Sequence, residues 1–504
     1  MKHHAPDPCA PRLHVPDRAL HGARMKVDRA AWAVTLFREA DRAAVLRVAE
    51  AVARAADERA AHYADWAVRE TGFGVAEHKA EKNRLCALPL LDHYRDLDLV
   101  SPQVDEARGI VALPKPAGVV FALTPATNPV ATIYYKAMLA ILGRNAVVFS
   151  PHPAAKAVSA DAAGWLARAA EAAGAPAGLI QCVEEPSVPL VQNVMGSDRI
   201  DVILATGGSA MVRAAYSSGN PALGVGPGNA VAYVDPSARV DAAARCLVES
   251  KSFDNSVLCT NESVALCLRE NWGNLERALR TAGAHVCTRA ETDALRGYLF
   301  ADGAFNVEAV GKSAAWIAER AGIRVSPSAR VLVPVVPEPG RDDHLFREKL
   351  CPVLTLTAAH DFAQAVTFAK HAASRGAGHS AAFHGDDRAR LMAFSSAVPV
   401  YRVVVNAPCS QGAAGFATHL PPAFMIGTGF AGRSSVGENV GPQHLVHWTR
   451  IAWAKGETPD LHGVEAPMAA PAPAPCAPEP SGLDRDMLRR LILEELRDLK
   501  GGGA

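Results

Sequence analysis

Between residues 109 and 235, short runs of β-branched residues alternate with alanine-rich segments of helical length. Four of these runs, GVVFALTP, NAVVFSP, VILATGG and NAVAYVD, each end in a glycine, a proline or a polar turn. Alternation of this kind predicts βαβ units that build a mostly parallel sheet, and such sheets bind their ligands at the carboxyl ends of the strands. The fold class is therefore expected to be α/β.

A second series of strand-like runs follows from about 236 to 430. Its members are ESVALCL, VLVPVV, PVLTLTAA, GHSAAFHG and YRVVVNAP. At 504 residues the chain is too long for one compact core, so we expect two α/β domains, residues 26–235 and 236–430. Apolar residues at helical spacing over about 28–96 predict that helices precede the first sheet.

The two ends of the chain have a different composition. Residues 1–25 are rich in proline and histidine without periodicity, which predicts a disordered arm. Segment 456–480 contains six prolines within residues 467–480, which predicts an extended linker. In residues 481–504, leucine, methionine and isoleucine recur at three- and four-residue spacing. This spacing predicts a short amphipathic helix.

Charge and cysteine pattern argue against several classes of protein. The 52 lysines and arginines balance the 52 acids, so net charge favours neither nucleic acid nor an anionic membrane as partner. The N-terminus has prolines and an acid where a signal peptide needs an apolar run, and the longest uncharged stretch, residues 118–135, carries two prolines and an asparagine. The ten scattered cysteines predict reduced thiols in the cytoplasm and no bound metal.

Cys259 stands between small and polar residues in the segment KSFDNSVLCTNE. A lone cysteine near an apolar run is commonly a small buried side chain. A nucleophilic cysteine instead needs an oxyanion donor, a cofactor and a source of reactivity. The segment by itself leaves both interpretations open.

Seven motifs occur in order between about residues 28 and 455. They are TPATNPVATIYYKAMLAILGRNAVVFSPHPAAK, ATGGSAMVRAAYSSGNPALGVGPGN, SFDNSVLCTNES, EKLCPVL, GHSAAFHG, NAPCSQG and ENVGPQHL. Together they resemble the CoA-acylating branch of the aldehyde dehydrogenase superfamily, which includes the aldehyde dehydrogenase half of bifunctional alcohol/aldehyde dehydrogenases and the propionaldehyde and acetaldehyde dehydrogenases of bacterial microcompartments. The resemblance implies two Rossmann-related α/β domains and a small β oligomerisation arm, here about residues 101–114 and 431–455, in a homodimer or homotetramer.

The resemblance also implies roles for three residues. Cys259 is the nucleophile, and the amide of Asn128, in TPATNP, is the oxyanion donor together with the backbone N–H of Cys259. His379, in GHSAAFHG, matches a histidine of the acylating branch and is either the proton acceptor or a structural histidine. Cys351 and Cys409 are expected only to pack.

NAD as cofactor and coenzyme A as co-substrate follow from the same resemblance. Glycines allow a backbone to approach a pyrophosphate, and Glu348 matches the carboxylate that holds the nicotinamide ribose. The stretch FSPHP, residues 149–153, lacks the lysine and glutamate that grip the adenosine ribose elsewhere in the superfamily, and NAD rather than NADP is inferred from the relatives. The implied cofactor-binding residues are Thr124, Pro125, Ser150, His152, Pro153, Gly207, Gly208, Met211, Gly226 and Glu348.

Residues 222–230, ALGVGPGNA, contain no carboxylate, although hydrolytic aldehyde dehydrogenases have a glutamate general base in the matching segment. A thioester on Cys259 is therefore expected to survive until the thiol of CoA attacks it, so that a short-chain aldehyde becomes an acyl-CoA with formation of NADH. The alternatives are a hydrolytic enzyme that releases free acid and, from a different class, an inactive assembly protein. Acetaldehyde, propionaldehyde and sulfoacetaldehyde stay open as substrates.

The predicted helix 481–504 on its linker resembles the encapsulation peptides that bring enzymes into the lumen of bacterial microcompartments. Its partner would be a shell protein that receives the apolar face of the helix in a groove. The alternative is that the helix folds back onto the enzyme or takes part in oligomer contacts, since a single short helix cannot bury its apolar face alone.

Overall fold

The computed structural model describes residues 17–337 and 343–456. Residues 1–16 of the predicted arm, the linker beyond residue 456 and the predicted helix 481–504 lie outside these ranges. The helices are α1 (Asp17–Phe37), α2 (Arg42–Glu58), α3 (Ala60–Thr71), α4 (Ala76–Leu85), α5 (Leu88–Tyr94), α6 (Pro129–Leu142), α7 (Lys156–Ala172), α8 (Val188–Met195), α9 (Ser209–Tyr216), α10 (Val240–Ser252), α11 (Trp272–Thr281), α12 (Arg289–Leu299), α13 (Ala314–Arg320), α14 (Phe362–Ser374), α15 (Arg388–Ala397) and α16 (Cys409–Ala413). None of the helices within the two described ranges combines the length and the apolarity that a bilayer span requires.

The strands alternate with these helices over most of the chain. They are β1 (Gln103–Asp105), β2 (Ile110–Pro116), β3 (Val119–Thr124), β4 (Ala146–Pro151), β5 (Ile180–Cys182), β6 (Val202–Thr206), β7 (Ala222–Val225), β8 (Ala230–Val234), β9 (Glu262–Leu268), β10 (Ala284–Val286), β11 (Val331–Val333), β12 (Thr355–Ala359), β13 (Ala381–His384), β14 (Val403–Val405) and β15 (Val446–Ala452). Every run that the sequence analysis assigned to a strand contains one of them, which confirms the α/β fold class.

The first helix begins earlier than the sequence predicts. Disorder is expected for residues 1–25, yet α1 begins at Asp17. Ala23, Val27, Val34 and Phe37 are buried at three- to seven-residue intervals, and α1 packs against β4, β5 and α8. Small alanine side chains hide the helical periodicity in the sequence, so the expectation of disorder is wrong for residues 17–25.

The first large sheet contains five parallel strands in the order β5-β4-β3-β6-β7. All residues of β3 and β4 are buried, as expected for central strands of a parallel sheet that helices cover. From β3 the chain runs to β4 and β5 on one side and then returns to β6 on the other. This reversal is a topological switch point, where a ligand crevice forms at the carboxyl ends of β3 and β6.

The second large sheet has the order β12-β9-β8-β13-β14 and is also parallel throughout. The sequence analysis places β8 in the first domain, which it ends at residue 235. In the structure β8 pairs with β9 and β13, so the change of sheet comes before Ala230. The turn between β7 and β8, GPGN at residues 226–229, carries the chain from one sheet to the other, and the expected boundary lies one strand too late.

The chain divides into two compact units. The larger unit comprises the described residues up to Val100 and those from Leu113 to Thr449, and it holds both five-stranded sheets. In the smaller unit, β1 pairs antiparallel with the start of β2, with Gln103 opposite Ala112. A three-stranded sheet with the order β1-β2-β15 thus involves the segments where the arm is expected. Its role in oligomer formation stays a prediction.

Candidate active site

A groove lies at the carboxyl ends of β3, β4 and β6. Thr124 ends β3, Ser150 stands one residue before the end of β4, and Thr206 ends β6. The hydroxyl groups of all three residues are buried and have no hydrogen-bond partner within the described chain. Buried polar groups are normally paired, so three such hydroxyls beside one groove fit a ligand that carries many hydrogen-bonding groups, as a dinucleotide does.

Eight of the ten residues expected to bind the cofactor line this groove. They are Thr124, Pro125, Ser150, His152, Pro153, Gly207, Gly208 and Met211. Gly207 and Gly208 directly precede α9, and a Cβ added to Gly208 would meet no atom within 4 Å. The space beside this glycine is open, which suits the approach of a ligand backbone to the start of a helix.

The groove continues into a pocket that contains Cys259. Pro125, Gly207 and Gly208 line both cavities, and the pocket adds the remaining expected residues Gly226 and Glu348, together with Asn128 and Cys259. Most of its other lining is apolar and includes Val257, Leu258, Leu350, Phe424 and Ile426. Among the described residues that line this pocket, Glu348 is the only charged one.

Cys259 is carried by a sharp turn between α10 and β9. Asp254, Asn255 and Ser256 have φ angles of 50°, 49° and 65°, all in the left-handed region that side chains other than glycine rarely adopt. Each such residue costs on the order of 1 kcal/mol, so surrounding contacts must hold the turn. The Asp254 carboxylate supplies one, because its Oδ1 accepts a hydrogen bond of 2.6 Å from Val75 N.

The Sγ atom of Cys259 lies 3.2 Å from Nε2 of His379. Burial, with a contribution from Glu348, raises the pKa of Cys259 to about 12. Burial, together with the charge of Arg402, lowers the pKa of His379 well below its usual value. The pair therefore rests as a thiol and a neutral imidazole. Nδ1 of His379 lies 2.7 Å from Ser380 Oγ, and a hydrogen on Nδ1 donated to this oxygen leaves Nε2 free to accept a proton from the thiol.

A buried guanidinium holds the backbone around His379. Arg402 donates from Nη1 to the carbonyl of His379 at 2.8 Å and to that of Gly427 at 2.9 Å, and from Nη2 to the carbonyl of Gly437. His379 lies just before β13, whereas Gly427 and Gly437 lie between α16 and β15, so one side chain fixes the relative positions of these two segments. The sequence analysis singled out neither Ser380 nor Arg402.

The side chain of Asn128 lies at the start of α6 and faces the Cys259 pocket. Its Nδ2 donates to Val257 O at 3.0 Å, two residues before the nucleophile. Its Oδ1 accepts from the ammonium group of Lys82, a buried residue of α4. The donor end of the amide is therefore on the Cys259 side, as an oxyanion donor requires.

The segment expected to lack a general base lies against Cys259. Val225, Gly226 and Pro227 line the pocket, and a Cβ added to Gly228 would stand 2.0 Å from the carbonyl oxygen of Cys259. Oε1 of Glu348 accepts a hydrogen bond from Gly228 N at 2.9 Å, and burial raises the pKa of Glu348 to about 7. Glu348 is thus the one carboxylate near Cys259 among the described lining residues, and part of its hydrogen-bonding capacity is already used.

Among the described residues that line this pocket, Cys259 is the only cysteine. Cys351 and Cys409 are completely buried, and burial raises the pKa of both thiols, as expected of packing residues. One group that the sequence analysis did not anticipate brings donor atoms of His285, Cys287 and Glu291 within 4.8 Å of one another. The Glu291 carboxylate already accepts from Thr288 N at the start of α12, so this arrangement is explained by helix capping.

The known proteins that are similar to this chain include several aldehyde dehydrogenases. The profile described as the aldehyde dehydrogenase family matches residues 12–294. An aldehyde-alcohol dehydrogenase of Clostridium acetobutylicum is 38% identical over 77% of this chain, and the chain spans only 45% of that relative's length. The acetylating succinate-semialdehyde dehydrogenase of Clostridium kluyveri is 36% identical over 81% of this chain and 90% of its own length.

Solved structures resemble the fold along most of the chain. An acetylating aldehyde dehydrogenase from Geobacillus thermoglucosidasius has a TM-score of 0.85 at 33% identity and covers 88% of this chain and 98% of its own. A propionaldehyde dehydrogenase from the fucose utilisation microcompartment of Clostridium phytofermentans has a TM-score of 0.78 at 25% identity and covers 86% of this chain and 97% of its own. A propionaldehyde dehydrogenase of Rhodopseudomonas palustris, with bound CoA and an acylated cysteine, has a TM-score of 0.77 at 27% identity and covers 86% of this chain and 97% of its own.

Proposed function

The chain belongs to the aldehyde dehydrogenase family, and from this premise we propose that it converts a short, uncharged aldehyde to its acyl-CoA through a thioester on Cys259, in a reversible reaction. The enzyme belongs to the CoA-acylating branch and uses a nicotinamide dinucleotide and CoA. The observation that carries the mechanism is the 3.2 Å contact between Cys259 Sγ and His379 Nε2, and Cys259 lines one pocket with Asn128.

The chemistry follows from these three side chains. Sγ of Cys259 attacks the aldehyde carbon while Nε2 of His379 takes the thiol proton, and the amide of Asn128 stabilises the negative oxygen of the thiohemiacetal. When bound, the nicotinamide dinucleotide supplies the hydride acceptor. His379 then releases the thiol proton to solvent. The sulfur of CoA attacks the thioester carbon while His379 takes the proton of the CoA thiol, and Cys259 Sγ leaves and receives that proton from His379. The sum is aldehyde, NAD⁺ and CoA to acyl-CoA, NADH and a proton.

Transfer to CoA rather than to water rests on the residues around the thioester. No carboxylate occurs in residues 222–230, which lie against Cys259, and Glu348 is bound to Gly228 N. With aldehyde and NAD⁺ but without CoA, we expect NADH to stop at about one equivalent per active site. Continued turnover to free acid would favour the hydrolytic alternative, and Glu348→Gln would then test whether this carboxylate activates the water.

The aldehyde proposed here is uncharged because the pocket offers no cation to an anionic tail. Its described lining contains no lysine or arginine that could pair with a sulfonate or carboxylate. We expect kcat/KM for acetaldehyde and propionaldehyde to exceed that for sulfoacetaldehyde and succinate semialdehyde. A panel of these four substrates, each with and without CoA, tests this order, and a preference for either anion would contradict it.

NAD is proposed over NADP for a similar reason. The described residues that line the groove at the ends of β3, β4 and β6 include neither lysine nor arginine, and burial lowers the pKa of His152, which favours a neutral ring. The 2′-phosphate of NADP would find no cation among them. The measurement is kcat/KM with each dinucleotide, and equal values would contradict the proposal.

We also propose a homodimer or homotetramer and a place in the lumen of a bacterial microcompartment. The sheet of β1, β2 and β15 supports the first proposal, and the predicted helix 481–504 supports the second. Light scattering of the purified enzyme measures the oligomer. A fusion of residues 481–504 to a fluorescent protein, co-expressed with shell proteins, tests the proposed localisation, and diffuse fluorescence would contradict it.

A further inference from the structure

Helix α4 buries two lysines that share one carboxylate. Lys79 and Lys82 are 3% and 1% exposed, and Nζ of each contacts Oδ2 of Asp254, at 3.0 Å for Lys79. The two lysines differ in their second partner. Lys79 donates to the backbone carbonyl of Thr127 at 2.8 Å, whereas Lys82 donates to the side-chain oxygen of Asn128.

The contact with Lys82 determines which end of the Asn128 amide faces the pocket. An amide side chain has one accepting and one donating end, and a lysine ammonium has only donors. Oδ1 of Asn128 is therefore held towards Lys82, and Nδ2 is left on the side of Val257 and Cys259. With the amide turned over, an oxygen would meet the negative oxygen of the thiohemiacetal and repel it.

Lys82 in turn is held by the turn that carries the nucleophile. Asp254, the first of the three left-handed residues, lies five positions before Cys259 and bonds Lys82, Lys79 and Val75 N. The Lys82 ammonium group thus connects Asn128, the proposed oxyanion donor, to the Asp254 carboxylate in the turn that carries Cys259. Removal of Lys82 alone still leaves Asp254 paired with Lys79, so no buried charge is left without a partner.

We propose that Lys82 is a positioning residue for the oxyanion hole, which acts on the reaction only through the orientation of the Asn128 amide. The inference rests on the proposed function, since it takes Asn128 to be the oxyanion donor. Loss of one oxyanion donor slows acyl chemistry by roughly 10²–10³. Lys82→Met is expected to lower kcat by at least about tenfold and at most by the factor measured for Asn128→Ala.

A double-mutant cycle separates this role from a general structural one. The variants are Lys82→Met, Asn128→Ala and their combination, and the readout is kcat for NADH formation with aldehyde, NAD⁺ and CoA. The double variant should be no slower than Asn128→Ala alone. Alkylation by iodoacetamide forms no oxyanion, and it is followed on the peptide that carries Cys259, because other cysteines also react. Its rate at Cys259 should change less than about threefold in Lys82→Met. Lys79→Met is the matched control, with kcat expected to stay above that of Lys82→Met.

Each result has a definite meaning. A Lys82→Met enzyme that is less than about tenfold slower than wild type overturns the inference, as does a double variant in which the two losses multiply. Slowing of alkylation by the same factor as turnover would show that Lys82 acts on the thiol instead, which also overturns it. An Asn128→Ala enzyme of normal activity would instead remove the proposed oxyanion donor itself. Should Lys82→Met fail to accumulate, Lys82→Ala, which leaves space for water beside Asp254 and offers no side-chain donor to Asn128, replaces it in the same cycle.

Discussion

Replacement of His379 by glutamine tests how a thiol of such high pKa becomes a nucleophile. With a pKa of about 12, only about 10⁻⁴ of Cys259 is thiolate at pH 8. In the proposed mechanism, Nε2 of His379, 3.2 Å from Cys259 Sγ, takes the proton during attack, so the neutral thiol is reactive. Without this base only the thiolate fraction reacts, and kcat/KM for the aldehyde should fall by roughly 10²–10⁴, the range for loss of a general base.

The pH profile makes the prediction specific. The thiolate fraction rises about tenfold per pH unit while the pH stays well below the thiol pKa. His379→Gln should therefore show a slope near one in log kcat/KM from pH 7.5 to 9.5. The pKa of His379 lies well below its usual value, so the wild-type imidazole does not titrate in this range and the profile should be nearly flat.

A matched control lies five residues further along the chain. His384 is also buried, and burial lowers its pKa to about 4, but it ends β13, whereas His379 lies before that strand. His384→Gln, with melting temperatures recorded for both variants, measures the cost of replacing a buried histidine. If His379→Gln kept a rate within threefold of wild type and a flat profile, the imidazole would be structural and the thiol would be activated in another way.

Further predictions concern the nucleophile, a buried acid and the terminal segment. Cys259→Ala should abolish both aldehyde oxidation and acyl-CoA reduction, because both pass through one thioester, whereas Cys409→Ala should keep most activity; NADH formation by the Cys259 variant would refute the mechanism. Burial raises the pKa of Glu262 to about 7, so its protonated form contributes stability that is present below pH 4.5 and is lost as pH rises through 7. The free energy of unfolding of Glu262→Gln, measured with urea, should therefore increase by up to about 3 kcal/mol relative to that of wild type between pH 5 and pH 8. A difference between the two proteins that does not change with pH would contradict this. Deletion of residues 457–504 should leave kcat and the oligomer unchanged, and loss of either would assign this segment to the architecture of the enzyme.

Much of the fold follows from local signals in the sequence. The runs that become β3, β4, β6 and β8 are apolar and end in turn residues, so their existence and type could be predicted. The strands β5 and β7 are three and four residues long and were not assigned, because such short runs show no periodicity. The pairing of β8 with strands of the second sheet depends on contacts with residues far along the chain, such as those of β13, and no local sequence pattern indicates it.

The presence of candidate site residues in one pocket could be predicted, whereas the residues that support them could not. Cys259, Asn128 and Glu348 lie in recognisable motifs, and the structure places all three in one pocket. Lys82 lies in α4, which contains the sequence EHKAEKNRL. Most residues of this helix are charged or polar, and no apolar stripe shows which face, and so which lysine, is buried. Its partner Asp254 lies 172 positions away, so their contact appears only when the chain is folded.

The left-handed turn at residues 254–256 makes the reactive segment depend on a distant part of the chain. Asp254 N donates to His78 Nδ1, and Asn255 Nδ2 donates to Gly311 O, so α4 and the loop at 311 hold the turn from outside. A conformation that is unfavourable by itself persists only while such contacts remain. In hydrogen–deuterium exchange, we therefore expect the amides of residues 254–259 and 75–82 to open as one cooperative unit, at a common rate. The thiol is then available for chemistry in the correct position only while this unit is closed.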